Sequence, residues 1–425
     1  MKLTPPSCLL ALLIVGSALP SKAPAETLTI ACGAVGIEYR LCREGAEAWG
    51  RRTGHQVRLV QSPNLSNNRL GLFQQMLASG SSDVDVFQID VIWPGILGAH
   101  LVDLRPYVDS ERLAGHYPAL IANNTVGGEL KALPWFVDVG LLYYRRDLLE
   151  AHGLAVPETW TALGEAARTV LEAERAAGNT RLTGYVFQAR AYEGLTCNAL
   201  EWIDSFGGGS VVEADGSISL NNPQAVRALE TAAAWIGSVA PRGVLTYGEE
   251  DARGVFQSGN AVFMRNWPYA WALLNGADSP VRGRVGVTSL PSGGAGGRHS
   301  ATLGGWGLAV SRYSEHPALA ADLIDHLTGP KEQARRAIAG AFNPTMPALY
   351  RDPALLAAQP LLADLAQTVE RAVARPSTVT GERYNRVSTI FWNAVHDTLS
   401  GKASAGESLA AAERRLRRLS RGGRW

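Results

Sequence analysis

Four cysteines and four methionines in 425 residues leave little room for sulfur chemistry, and no cluster of His, Cys, Asp or Glu stands at metal-ligand spacing. Neither a metal nor a cofactor is therefore expected. Gly-x-Ser-x-Gly, His-Glu-x-x-His and the phosphate-cradling glycine loop are all missing, so no catalytic residue is assigned. One sign of charge does not prevail: 40 basic residues face 39 acidic ones, which argues against a nucleic-acid partner, since that would call for a basic face. Apart from an 11-residue apolar segment near the start, Cys8 to Ala18, no stretch approaches the ~20 apolar residues a bilayer-spanning helix needs.

That short segment, preceded by Lys2 and followed by Ala23-Pro24-Ala25, reads as a secretory signal cleaved near Ala25. Export to the periplasm follows. Cys8 stands at the head of the apolar run instead of following it, so a soluble mature protein is expected and not a lipoprotein. Removing residues 1–25, which hold Lys2, Lys22 and no acid, moves the formal charge from +1 to −1. Cys32, Cys42 and Cys197 remain, an odd count that allows one bridge and a free thiol in an oxidising compartment. Cys32 and Cys42 straddle a strand-to-helix turn and are the candidate pair.

About 400 mature residues exceed one core, so two domains are expected. Thr27 to Ala31 alternates as a strand and Gly33 to Gly36 turns; Tyr39, Cys42, Ala46 and Trp49 then fall at helical spacing up to Gly54. A strand from His55 to Gln61, a helix through Leu70, Phe73 and Leu77, and a strand from Val84 to Ile89 ending in Asp90 complete a parallel α/β rhythm. Strands are expected at Leu130 to Pro134 and Val137 to Tyr144, and helices after Pro157 and Pro223. A glycine-rich lead at 304–307 opens a strand at Leu308 to Ser311, and helices follow beyond Pro347. The arginines at 414–424 flank Leu409, Ala412, Leu416 and Leu419, which reads as a solvated helix face over a packing stripe.

The densest chemistry lies at Phe263 to Trp271, where three large aromatic rings, an Asn and an Arg surround Pro268 just as a short apolar strand ends. Ligands in open α/β sheets bind at such strand exits. Trp267 and Tyr269 offer ring faces to sugar C–H surfaces, while Trp271 would turn inward if the segment becomes helical after Pro268. Other strand exits carry carboxylates able to grip neighbouring hydroxyls: Glu38 before the first helix, Asp90 and Asp138. Each has a plainer role open to it, with Glu38 favouring a helix start, Asp90 capping a turn and Asp138 pairing with Arg145 or Arg146. Arg375, fixed by Pro376, donates in a fork suited to adjacent hydroxyls or to holding a carboxylate.

Four stretches carry a resemblance: Phe256 to Met264, Asn266 to Trp271, Leu303 to Val310, and Ala374-Arg375-Pro376 with Tyr384 to Ser388. Together they resemble the extracellular sugar-binding proteins of ABC transporters (solute-binding protein family 1), and within that family the trehalose/maltose-binding proteins. The resemblance implies an α/β, two-lobed periplasmic-binding-protein fold (type II) with the ligand cleft between lobes joined by a three-segment hinge. It divides the chain into a signal peptide (1–25), an N-terminal lobe (26–136 and 305–344) and a C-terminal lobe (137–304 and 345–425). It implies that Asp90, Asp138, Trp267, Tyr269, Gly305, Trp306 and Arg375 line the cleft, with Glu38 beside them. The implied activity is a monomeric receptor that captures an α-glucoside disaccharide and hands it to the ABC permease. Paired carboxylates near aromatic rings would also serve a secreted glycosidase, which is the alternative reading.

Overall fold

The computed structural model describes Met1, residues 24–33 and residues 36–425. The expected signal segment lies almost wholly outside the described residues, as do Ala34 and Val35 of the expected turn. In chain order the strands are β1 (Thr27–Ala31), β2 (Gln56–Val60), β3 (Val86–Asp90), β4 (Thr125–Val126), β5 (Glu129–Leu130), β6 (Leu133–Val139), β7 (Leu141–Arg145), β8 (Thr183–Val186), β9 (Ala261–Asn266), β10 (Val285–Ser289) and β11 (Leu303–Val310).

Two principal sheets form, in the orders β2-β1-β3-β11-β6 and β10-β7-β9-β8, with β4 and β5 as a separate pair. The expected parallel rhythm holds for β1, which pairs parallel with both β2 and β3. Strand β11 then enters antiparallel between β3 and β6, a return the early βαβ pattern does not announce. Helices Glu38–Thr53 and Pro317–Thr328 bury their apolar stripes on the first sheet, and Trp160–Ala176 and Glu193–Ser205 on the second. The second core holds a knot of rings, Trp160, Tyr185, Phe187, Trp202 and Trp235, with neighbouring centroids 4.9 to 6.4 Å apart. No helix among the described residues is long and apolar enough to cross a membrane. The arginine-rich Ala405–Ser420 helix buries Leu409, Ala412 and Leu416 as its sequence pattern implies.

Two expectations need correction. Val137 to Tyr144 is not one strand: β6 ends in the first sheet, Gly140 intervenes, and β7 begins in the second. A Cβ on Gly140 would stand 2.0 Å from Glu201 Oε1, so only glycine lets the chain change sheets there. The glycines at 304–307 likewise are strand and not a lead-in, since β11 starts at Leu303. Gly305 has φ +125°, and a Cβ there would lie 2.4 Å from the Phe136 carbonyl oxygen; the β6–β11 register shifts beside it, between Trp306 and Gly307. The third passage between the lobes lies alongside, with Val137 N donating to Asn343 O at 3.0 Å. Three crossings thus sit side by side at one edge.

Cys32 and Cys42 are joined, with Cα atoms 6.6 Å apart, and Cys197 is free and buried. The bridge ties the end of β1 to the first helix, next to Glu38. Replacing both cysteines by alanine is expected to lower the unfolding free energy by about 2–3 kcal/mol, the chain-entropy worth of a loop this short. Urea denaturation checks this, and an unchanged midpoint would mean the bridge does not constrain the unfolded chain.

Candidate functional site

Three neighbouring strands of the first sheet meet at the cleft, β3 and β6 by their C-terminal ends and β11, antiparallel to both, by its start. Asp90 at the end of β3 is in register with Trp306 of β11, Trp306 with Phe136 of β6, and Gly304 with Asp138. Strand β9 of the other sheet ends opposite at Asn266, and the short helix Ala270–Leu274 follows Pro268, so the helical alternative for the aromatic run is the one adopted. Trp271 accordingly packs against the second core. All eight sequence-predicted residues, Glu38, Asp90, Asp138, Trp267, Tyr269, Gly305, Trp306 and Arg375, line a single cavity between the lobes.

Each is held distinctly. Glu38 opens its helix, buried, and accepts from Gln88 Nε2 at 2.6 Å. Arg375 donates Nη2 to Asp90 Oδ1 at 2.7 Å and Nη1 to Glu193 Oε1 at 2.9 Å, with 3% of its side chain exposed. The guanidinium therefore takes the carboxylate-holding role. Asp90 belongs to the first sheet and Glu193 opens a helix packed on the second, so this one cation spans the cleft. Its backbone is fixed next to a crossing by Val373, whose carbonyl accepts from Leu303 N at 2.8 Å. Burial would lower the Arg375 pKa, but Asp90 and its neighbours outweigh that and hold it raised. Tyr269, though it follows β9, buries its ring in the core of the first lobe and donates to Glu250 Oε1 at 2.6 Å.

Two arginines cover the cleft tryptophans. Arg69 lies over Trp306 at 4.1 Å from the ring centroid, and Arg265 over Trp267 at 3.9 Å. Such contacts contribute about 0.5–2 kcal/mol each. Trp267 Nε1 also reaches Glu249 Oε1 at 3.4 Å. Three buried polar atoms on residues lining this cavity have no hydrogen-bond partner within the chain, Asp138 Oδ1, Arg69 Nη1 and Arg375 Nε. The pairing of Asp138 with Arg145 or Arg146 does not form: Arg145 binds Asp147, and Arg146 donates to the Val285 carbonyl.

Sequence reasoning passed over Arg69, Glu193 and Glu249, which line the same cavity. Arg69 interrupts the apolar face formed by Leu70, Phe73 and Leu77, and that interruption was the available signal. Glu249 is masked by its acidic neighbours at a helix start, where capping accounts for them. The cavity has a volume of about 70 Å³, below the roughly 300–1,000 Å³ of small-molecule sites. The lobes are thus drawn together. A larger concavity, about 700 Å³, lies outside the cleft beside Tyr107, Arg112, Asp322 and Asp325. Two of its ion pairs are made within the chain, Arg112 with Asp325 at 3.1 Å and Asp322 with Arg52 at 3.1 Å, and it brings together none of the unmatched buried polar atoms of the cleft, so the cleft is the better site.

Burial first, then the carboxylates of Glu38 and Asp90, push the Asp138 pKa up to about 8 against the pull of Arg265 and Arg336. The folded chain therefore keeps a proton that the unfolded chain has released, and this group withdraws stability as pH rises from about 4 to about 8. Asp138→Asn is expected to show a flatter stability profile across that window and to melt above the parent at pH 8. Calorimetry at stepped pH reads this, and a parallel pair of profiles would show Asp138 to be ionised throughout.

Residues 39–334 match the family model described as bacterial extracellular solute-binding protein. A protein of Deinococcus radiodurans named probable ABC transporter-binding protein is 50% identical over 408 residues, covering 96% of this chain and 97% of that one. Among solved structures, maltose-bound T. maritima MalE3 is 39% identical, with a TM-score of 0.87 over 93% of this chain and 100% of its own. A mannitol-bound ABC transporter solute-binding protein of Agrobacterium vitis S4, 21% identical with a TM-score of 0.79 over 93% and 99% of the two chains, shares the fold. The two α/β lobes, the side-by-side crossings and the cleft between them are those of the type II periplasmic binding fold, and the chain belongs to the bacterial extracellular solute-binding protein family.

Proposed function

We propose that this chain is the receptor of an ABC importer and captures an α-linked glucose disaccharide, of the maltose or trehalose type, by hinge closure. Residues 26–136 and 305–344 form one lobe in this reading, and 137–304 and 345–425 the other. The observation that carries it is the meeting, in one cavity, of two tryptophans each covered by an arginine with unmatched buried polar atoms, both acceptor and donor. Asp138 Oδ1 is an acceptor and Arg69 Nη1 a donor, and a sugar hydroxyl is both at once. A pyranose ring also offers flat C–H surface to Trp267 and Trp306. The likeness to the maltose-bound protein supports a glucoside over a polyol, since the mannitol-bound neighbour resembles this chain in fold alone.

The eight predicted residues act as binding groups in this reading, joined by Arg69, Glu193 and Glu249. A monomer works in the periplasm after cleavage near Ala25 and presents the closed lobes to the permease. A cavity of about 70 Å³ does not admit a disaccharide, so the lobes part before capture.

A disaccharide has about 23 heavy atoms, and at roughly 0.3 kcal/mol per atom the favourable free energy is about 7 kcal/mol, a micromolar dissociation constant. Trp267→Ala is expected to weaken binding by about 2 kcal/mol or more while the protein stays folded. Titration calorimetry with maltose and trehalose, run beside melting curves, tests both. Millimolar binding of both sugars would remove the ligand class, an early-melting Trp267→Ala protein with normal affinity would make the ring a packing element, and hydrolysis products would favour the glycosidase.

A further inference from the structure

The tryptophan at the mouth of β9 is fixed from several directions. Tyr143 Oη donates to its carbonyl at 2.9 Å, and Asn266 Oδ1 accepts from its backbone N–H at 2.8 Å. These bonds fix its backbone, and the indole reaches Glu249 Oε1 through Nε1 at 3.4 Å. One face of the indole is covered by the guanidinium of Arg265, which is fully buried and does not line the cavity, whereas the half-buried Trp267 does. The covered face is therefore the inner one, and the cavity meets the other.

Arg265 is itself held rigidly. Its Nε donates to Glu201 Oε2 at 2.9 Å, its Nη2 makes a second bond to Glu201 Oε1, and its Nη1 reaches Gln188 Oε1 at 3.2 Å. Both members of the ion pair are completely buried. Burial would lower the Arg265 pKa, but the Glu201 carboxylate outweighs it and keeps the group charged. Glu201 in turn accepts from Thr302 N at 3.1 Å, one residue before β11, and abuts Gly140, where the chain passes between sheets. The carboxylate is anchored at two crossings, and the arginine carries that anchoring to the ring.

We propose that Arg265, clamped by Glu201, is a positioning residue that sets the angle of the Trp267 platform relative to the hinge, and so sets sugar affinity without touching sugar. This rests on the sugar-site reading above. A fully buried pair is a poor source of stability for its own sake, because desolvating two charges offsets most of their attraction. Its geometry here, two parallel bonds plus a stacked ring, serves orientation instead.

The test is a double-mutant cycle on the full mature protein with maltose as the probe, using Glu201→Gln/Arg265→Met, which removes both charges together and leaves neither unpaired. With Trp267 present, the pair replacement is expected to weaken maltose binding about tenfold. In a Trp267→Ala background it is expected to change affinity less than twofold. Unchanged affinity with Trp267 present, or the same loss in both backgrounds, overturns the proposal, since a merely structural pair would act alike in each. Should the charge-free variant fail to fold, Arg265→Lys keeps a cation beside Glu201 but loses the planar fork, and the same two comparisons apply. If Trp267→Ala alone leaves maltose binding untouched, or the parent binds no maltose, the sugar-site reading fails instead. The Trp267 indole N–H resonance, assigned by its loss in Trp267→Phe among the eleven tryptophans, then decides: broadening or splitting of that signal in the pair variant upholds the positioning role, and one sharp line overturns it.

Discussion

A single guanidinium held between carboxylates from the two halves of the molecule organises this cleft. Arg375 is almost wholly buried, and each of its two terminal nitrogens meets a carboxylate, which offsets the cost of burying the charge. Asp90 supplies one direction from the end of β3 and Glu193 the other from the start of a helix on the opposite lobe; Tyr384 and Ser388 donate to Glu193 at 2.6 and 2.7 Å and hold it in place. Drawing the lobes together desolvates all three charges at once, and their mutual attraction offsets that loss. The arrangement also explains why the cavity is narrow: a second interlobe bond, from Glu193 N to Asn67 Oδ1 at 2.9 Å, lies beside it.

Around that bridge the cleft repeats one device. A buried arginine lies over a cleft tryptophan, at Trp306 through Arg69, itself part of the cavity lining, and at Trp267 through Arg265, which is not. Deeper in the first lobe, Arg336 lies 3.6 Å from the centroid of Trp135 in the same way. Guanidinium over indole fills space without demanding the complete hydrogen-bond set an ammonium would need, which suits a rigid platform next to a polar ligand. In the proposed reading rigidity matters, because a ring already fixed for stacking loses little freedom when a sugar arrives.

Much of this was legible in the chain. Carboxylates and aromatics placed where strands end converge because β3 and β6 run the same way and end at one edge, with β9 of the other sheet ending opposite, so Asp90, Asp138 and the run at Trp267 could be named from pattern alone. The disulfide was legible as a candidate from spacing across a turn. What escaped depends on contacts that sequence order does not encode. Glu193 sits 182 residues before its partner Arg375, and nothing local distinguishes it from a solvated helix start. Arg69 reads as a long side chain reaching past an apolar face. The glycines before Leu308 look like loop, because the demand for them comes from the close approach of β6 and not from their neighbours. Gly140 breaks an otherwise continuous strand for a similar reason, the carboxylate of Glu201 beneath it.

Lobes joined by three adjacent crossings, with a cleft too narrow for the ligand class its walls suit, imply that capture consists of parting and reclosing. Small-angle scattering of the mature protein with and without saturating maltose tests this most directly. The radius of gyration is expected to fall on adding the sugar, as an open population is drawn into the closed form. An identical radius in both samples, with calorimetry showing the sugar bound, would contradict a closing receptor.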